Sequence, residues 1–293
     1  MKKQLNIALA GATGYLGTYI AKELIETEMN PKLIVRNPDK IQLNGNYPNG
    51  SYQLAKAAVT KKKDLKGILN GIDVVISSVG ITRQKDGLTY MDVDYQANKN
   101  LLDEAKIAGV RKFIYVSAIH GEQFRNLKIF EAKEKFVDAL KASGLDYTIL
   151  RPNGFFSDMK DFLQMAKSGR VYLFGDGNYK LNPIHGADLA KIIVEAIYTQ
   201  QNEIVVGGPD ILTQNEIAKL ALEAYGKAPK ITHLPDWIRK GIVGVMRTFT
   251  SSKTYGPIEF FMTMMAQDNI APREGINRLE SFYRKEVDSI QYQ

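Results

Sequence analysis

The chain has 293 residues, 44% hydrophobic and 24% charged, which excludes a disordered or fibrous chain and leaves room for one large core with an appended lobe, or for two small domains. It has no cysteine, which excludes disulfides, thiolate metal sites and a cysteine nucleophile. Its net charge of +7 suits an anionic ligand, nucleic acid or an anionic membrane, but the lysines are scattered, so no nucleic-acid partner is expected.

No apolar stretch is long enough to span a bilayer. Lys2 and Lys3 precede an apolar run as in a signal peptide, but the run is too short, and a cytoplasmic location is expected. That run, Ile7-Ala8-Leu9-Ala10, reads as a first strand ending at Gly11. Ala12, Thr13, Gly14, Tyr15, Leu16 and Gly17 follow, and Leu16, Ile20 and Leu24 then recur at helical spacing. This is strand, glycine turn, helix. Gly11 suits the φ of a tight turn. Gly14 lets backbone approach a bulky anion, and Gly17 lets the helix pack close to a sheet. The helix start offers free N–H groups and a positive dipole end to a diphosphate. Gly11, Thr13, Gly14, Tyr15, Leu16 and Gly17 are therefore candidate cofactor-binding residues.

The first helix stops at Asn30-Pro31. A second strand is expected over 32–35, a less apolar one over 51–59, a short basic helix over 61–70 and a further strand over 72–78, ending at Ser78. One long helix from Met91 carries Val93, Ala97, Leu101 and Ala105 on one face and closes at Gly109. A fifth strand over 112–117, a helix over 126–143 and a sixth strand over 146–150, ended by Arg151-Pro152, follow. Such alternation implies βαβ units and an α/β fold: a doubly wound parallel Rossmann sheet with helices on both faces. Past Pro152 a strand over 171–174, a helix over 188–198 and a last strand over 203–206 are expected. Thr213 and Glu216 mark a capping box. The remainder reads as helices broken at Pro229, Pro235 and Pro257. The expected organisation is a nucleotide-binding domain over 1–150, with the 203–206 strand returning to its sheet, and an interleaved, mostly helical substrate lobe over 151–293.

Arg36 stands nineteen residues after Gly17, at the end of the second strand. An NAD-preferring fold places an acid there for the ribose 2′-hydroxyl, whereas arginine suits a 2′-phosphate. No acid lies between Leu33 and Pro38, so NADP (NADPH) is expected and NAD is the lesser fit. Lys133 falls on the apolar stripe of its helix with Ile129, Phe136, Val137 and Leu140. A lysine there either snorkels to solvent or serves a site. Ser117 ends the fifth strand at the mouth of the expected cleft. Ser78 and Pro152, at two other strand ends, join the cofactor-binding set. If Lys133 serves a site, Lys133→Met should keep thermal stability near native. The three histidines, His120, His185 and His233, are too dispersed for a metal site, and none is expected. Phe155, Phe156 and Phe162 line either a substrate pocket or a lobe core.

The G-x-x-G-x-x-G spacing, Arg111 to Ser117, Lys133, Gly144 to Pro152 and Ile184-His185-Gly186-Ala187-Asp188-Leu189-Ala190 together resemble the atypical short-chain dehydrogenase/reductase family. The nearest branches in pattern are NmrA-like, divinyl chlorophyllide reductase-like and complex I accessory-subunit-like. The resemblance implies an NADP-binding Rossmann fold with Ser117 near the nicotinamide and Lys133 on its ribose, the two catalytic candidates. It also implies an oxidoreductase that reduces an activated carbonyl or conjugated double bond of a small apolar substrate. Two departures stand out. The family's tyrosine, four residues before the lysine, is Ile129 here, and Tyr115 lies inside the fifth strand. The aspartate that often reads adenine after the third strand is replaced by Ala58-Val59. A non-catalytic NADP-binding scaffold or redox sensor is the alternative.

The segment Pro235 to Phe249 places Ile238, Ile242, Met246 and Phe249 on one face, with Arg239, Lys240 and Arg247 elsewhere. It reads either as a lobe helix packed on a core or as a basic helix touching a membrane or a partner. Oligomeric state is not readable.

Overall fold

The computed structural model describes residues 5–43, 45, 47–82 and 87–291. Lys2 and Lys3, read above for a signal peptide, lie outside them. In chain order the elements are β1 Ile7–Ala10, α1 Tyr15–Glu26, β2 Lys32–Val35, β3 Gln53–Lys56, β4 Val74–Ser77, a π-helical segment Met91–Ala97, α2 Asn98–Ile107, β5 Lys112–Val116, α3 Lys128–Lys141 and β6 Asp146–Pro152. Then come α4 Lys160–Lys167, β7 Val171–Phe174, β8 Lys180–Leu181, α5 Gly186–Glu195, β9 Glu203–Val206, β10 Leu212–Thr213, α6 Gln214–Ala224, β11 Ile231–Leu234, α7 Asp236–Phe249, α8 Ser252–Met264 and α9 Leu279–Gln291.

Seven parallel strands form one sheet in the order β3-β2-β1-β4-β5-β6-β9, the doubly wound arrangement that the alternation implies. The first unit takes Met1–Arg151 and Leu189–Ile204. Strands β1, β4 and β5 are buried on both faces, which explains their continuous apolar runs. β3 is the sheet edge and is mostly exposed, so its weak pattern and its Lys56 fit an edge strand. Phe136 of α3 packs its ring 4.6 Å from that of Tyr115 and 5.8 Å from that of Phe113, fixing α3 on the sheet.

The second unit takes Pro152–Asp188 and Val205–Gln293. Its core gathers Phe156, Phe162, Ile217, Leu222 and Tyr283. Phe156 and Phe162 are thus core residues. The Tyr283 hydroxyl donates to the Met159 carbonyl at 2.8 Å, which satisfies a buried polar group. The capping box is present: Glu216 N–H donates to Thr213 Oγ1 at 3.1 Å, and Thr213 N–H to Glu216 Oε2 at 2.7 Å. Thr213→Ala is expected to cost about 1 kcal/mol. A urea titration reads this as a lower midpoint at unchanged slope. An unmoved midpoint would show the cap to be idle.

Several elements depart from the sequence reading. The expected basic helix over 61–70 is one 3₁₀ turn, Lys62–Leu65, because Gly67 and Gly71 both turn the chain at positive φ. β6 runs on through Arg151 to Pro152, since proline is tolerated at a strand end. Ile231–Leu234 is a strand parallel to β7 and not a helix; its β-branched Ile231 and Thr232 lie between two prolines. Pro257 sits inside α8 without breaking it. The single helix from Met91 is instead π-helical to Ala97 and α-helical after it. Asn98 holds the wider turns, its Nδ2 donating to the carbonyls of Asp94 at 2.9 Å, Val79 at 3.1 Å and Val93 at 3.3 Å. Asp94 is thereby carried inward and is fully buried.

Candidate functional site

The turn between β1 and α1 is built as its glycines require. Gly11 has φ +93°, a conformation that side chains resist. A Cβ on Gly17 would lie 2.0 Å from the Gly11 carbonyl oxygen, so the helix packs there only as glycine. Gly14 caps α1 with extended φ and ψ, no side chain caps it, and no acid stands in the first turn. Thr13 and Gly14 are exposed, Tyr15 is half-buried and Leu16 is buried. The result is an open helix start whose dipole favours an anion. At Gly11 and Gly17 the backbone comes close only because each is glycine.

The chain leaving β4 touches this turn. Ser78 Oγ donates to the Ala10 carbonyl at 3.2 Å, and a Cβ on Gly11 would meet that Oγ at 2.6 Å. Two residues on, a Cβ on Gly80 would lie 2.7 Å from Asp94 Oδ1 and 3.0 Å from Lys133 Nζ. One short segment therefore links the glycine turn to Lys133. Arg36 follows β2, is exposed, and makes no hydrogen bond or ion pair among the described residues. Pro152 is the buried last residue of β6 and begins the second unit.

Lys133 does not snorkel. Its side chain is 12% exposed, and its Nζ lies 2.8 Å from Oδ1 of Asp94, whose side chain is fully buried. Asp94 Oδ2 also accepts from the Ile81 N–H at 3.2 Å. Burial opposes the charge on Lys133, but the Asp94 carboxylate outweighs it and holds the ammonium above the ordinary lysine range. The same ammonium sits 5.9 Å from the ring centroid of Tyr115. Tyr115 is fully buried, and its hydroxyl has no partner of normal hydrogen-bond geometry among the described residues. Burial pushes its phenol well above the usual tyrosine value, with Lys133 acting the other way. A phenol so placed holds its proton at neutral pH, and Tyr115 lies inside β5 rather than four residues before Lys133, where Ile129 stands.

Ser117 belongs to a second buried cluster. Its Oγ donates to Glu134 Oε1 at 2.9 Å. Arg151 grips the same carboxylate with Nη1 at 2.7 Å and Nη2 at 2.9 Å. Arg151 Nη1 also reaches the Ala118 carbonyl at 3.3 Å, and its Nε pairs with Glu203 of β9. Glu134 has no exposed side-chain surface and Arg151 has 5%. The Ser117 hydroxyl is committed as a donor and keeps its acceptor lone pairs. Asp94, Glu134 and Gly80 were missed from sequence, and Arg151 was read only as a strand end. Neighbouring Lys133 and Glu134 point into different clusters. Among the described residues no group of carboxylates and histidines has metal-site geometry. No described helix is long and apolar enough to cross a membrane.

Residues 11–200 match the model of a family described as NAD(P)H-binding. The divinyl chlorophyllide a 8-vinyl-reductase of Arabidopsis thaliana is 28% identical over 264 residues, covering 83% of this chain and 63% of that one. The enzyme of the same name from Cucumis sativus is 30% identical over 263 residues, covering 83% and 62%. The chain thus spans less than two thirds of these curated relatives. Among solved structures, the NADPH-dependent quinone oxidoreductase QOR2 of Escherichia coli, complexed with NADPH, has a TM-score of 0.69 at 18% identity, covering 97% of this chain and 99% of that one. That likeness speaks for the fold alone.

Proposed function

The chain belongs to the NAD(P)H-binding family, and we propose that it is an NADP-dependent oxidoreductase of the atypical short-chain type, acting on a small apolar substrate. One observation carries this reading: a charged lysine, buried against Asp94, is tied by the Ser78–Gly80 segment to a glycine turn that admits no side chain at Gly11 or Gly17. A buried ion pair is a poor source of stability, which favours a task for this ammonium beyond packing. The reacting group is an activated carbonyl or a conjugated carbon–carbon double bond. The names of the two plant relatives state reduction of a vinyl group, which favours the double bond.

The bound cofactor supplies hydride from its nicotinamide ring. Gly11, Thr13, Gly14, Tyr15, Leu16 and Gly17 hold its diphosphate, with Ser78 bracing the turn. Arg36 takes the 2′-phosphate of NADP through charge-assisted hydrogen bonds. Lys133 holds ribose hydroxyls with the ammonium donors that Asp94 leaves free. Ser117 serves as an acceptor toward the carboxamide or substrate, since its hydroxyl already donates to Glu134. Pro152 bounds the nicotinamide end.

A scaffold that binds NADP without chemistry is the second reading, favoured by Ile129 where a tyrosine would stand and by the engagement of Ser117 with Glu134. Single-turnover absorbance at the nicotinamide band separates the two. With NADPH bound, one member of a panel of enones and quinones should bleach the band. Tight NADPH binding with no bleaching across the panel would favour the scaffold. Failure to bind NADPH or NADH would remove both.

A further inference from the structure

Helix α7 is turned inside out. None of its residues is fully buried. Arg239 faces α8, with Nη1 donating to the Met262 carbonyl at 3.3 Å, and Arg247 pairs with the buried Glu259 of α8. Ile238, Val243 and Met246 are half-covered, but four apolar side chains face water. Trp237, Val245 and Phe249 are 71%, 57% and 79% exposed, and Ile242 is exposed beside them. Trp237, Gly241, Val245 and Phe249 follow one another at four-residue steps, a single stripe along the helix. The sequence reading placed Ile238 and Met246 on the apolar face, but both are half-covered, and Trp237 and Val245 take their place outside. A water-facing Trp–Ile–Val–Phe stripe is not what a packed lobe helix leaves exposed.

We propose that this stripe docks on an anionic phospholipid surface. Three features favour lipid over protein. Residues 236–264 carry Arg239, Lys240, Arg247 and Lys253 against two acids, Asp236 and Glu259, and although Arg239, Lys240 and Arg247 share those acids in ion pairs the helix pair keeps a net positive charge. The exposed Lys240 and Arg247 have stems long enough to lie along the apolar boundary with their charges at headgroup level. The stripe is four side chains on a helix about 21 Å long. A stable protein interface needs about 800 Å² from each partner and 20–30 residues. A bilayer needs no matching surface, and a narrow stripe with aromatic ends lies in its interface. The surface is independent of the cofactor chemistry and needs no helix that crosses the membrane.

Trp237 is the chain's only tryptophan, so its fluorescence reports this helix alone. Full-length protein is mixed at low salt with vesicles of phosphatidylcholine, with or without 30% phosphatidylglycerol, a proportion of roughly the anionic content that attracts basic segments. The expected result is co-sedimentation with the anionic vesicles and a blue shift of Trp237 emission. Val245→Asp and Phe249→Asp should each lower partitioning at least roughly tenfold. Lys240→Glu should lower it roughly fivefold or more. Ile107→Asp, at a comparably exposed apolar residue far along the sequence in the first unit, should change nothing. These are surface substitutions, and unchanged circular dichroism and NADPH binding confirm that each variant is folded. No pelleting with anionic vesicles, or pelleting without a Trp237 shift, overturns the proposal. So does a Trp237 blue shift that tracks protein concentration without lipid, which would assign the stripe to a second copy of this chain.

Discussion

Lys133→Met is expected to lower both stability and cofactor affinity, and the two losses can be separated. The sequence alone predicts a stable variant, because methionine keeps the aliphatic stem. The Asp94 contact reverses that. Asp94 is fully buried, and removing Lys133 leaves its carboxylate without a counter-charge. Breaking a buried pair by deleting one partner costs roughly 3–5 kcal/mol. For a chain of this size the melting temperature should fall by roughly 6–20 °C. The sign of the pH dependence is fixed. The folded-state pKa of Lys133 lies above the ordinary 10.5, so its contribution is fully present below that pH and lost only as pH rises through the folded value. Asp94 titrates on the other side: burial raises its carboxyl above the ordinary value, and without Lys133 little opposes that, so the gap between wild type and variant should narrow as pH falls and the orphaned carboxyl takes up a proton.

The second variant is Asp94→Asn/Lys133→Met. Asparagine retains an acceptor for the Ile81 N–H and removes the orphaned charge, so most of the stability should return. NADPH affinity should stay roughly tenfold or more below wild type, the worth of about one charge-assisted hydrogen bond. Lys135→Met on the same helix is the control. Lys135 is exposed and rests 4.5 Å over the Tyr95 ring, so only a small stability change is expected and no loss of affinity. Calorimetry of NADPH binding to all three decides. If the double variant regains both stability and NADPH affinity, Lys133 is only the partner of Asp94, and its assignment to the cofactor fails.

The sheet was legible in the sequence because its strands are buried on both faces and therefore apolar throughout. Val74–Ser77 and Lys112–Val116 are examples. The glycine turn was legible for a related reason: only glycine satisfies the 2.0 Å approach at Gly17, so the residue type records the geometry. Lys133 was legible as an anomaly, a charge on an apolar stripe. Its partner was not. The spacing of Val93, Ala97, Leu101 and Ala105 describes an α-helix in which Asp94 lies off the buried face. The π-helical turns that swing it inward depend on Asn98 meeting Val79 and Ser77, contacts about twenty residues apart. Glu134 was hidden in the same way. Beside Lys133 it looks like half of a solvated pair, and only Ser117 and Arg151, each seventeen residues away, make its burial tolerable. The helix α7 shows the reverse error. Hydrophobic spacing identifies an apolar face but does not say which way it points. Here the side toward α8 is set by two arginines and the buried Glu259.

Arg36→Ala should separate the two nicotinamide cofactors. Arg36 makes no hydrogen bond or ion pair among the described residues and is exposed, so its removal should change stability by no more than about 0.5 kcal/mol. Its task in the proposed site is one anion, the 2′-phosphate. A charge-assisted hydrogen bond contributes about 1.5–3 kcal/mol net, so NADPH should bind roughly tenfold to a hundredfold more weakly. NADH has no 2′-phosphate, and its affinity should barely move. Exposure makes the effect sensitive to screening, so the wild-type preference for NADPH should shrink as salt rises. Arg36→Asp should go further. It adds repulsion toward the phosphate and an acceptor for a ribose 2′-hydroxyl, which should turn the preference toward NADH. Both cofactors are titrated against the three proteins by nicotinamide fluorescence. Equal losses for NADPH and NADH would make Arg36 a general electrostatic contributor and remove the phosphate assignment. A wild-type chain that already prefers NADH would remove it outright, while leaving the glycine turn and Lys133 as a site for the cofactor without its phosphate.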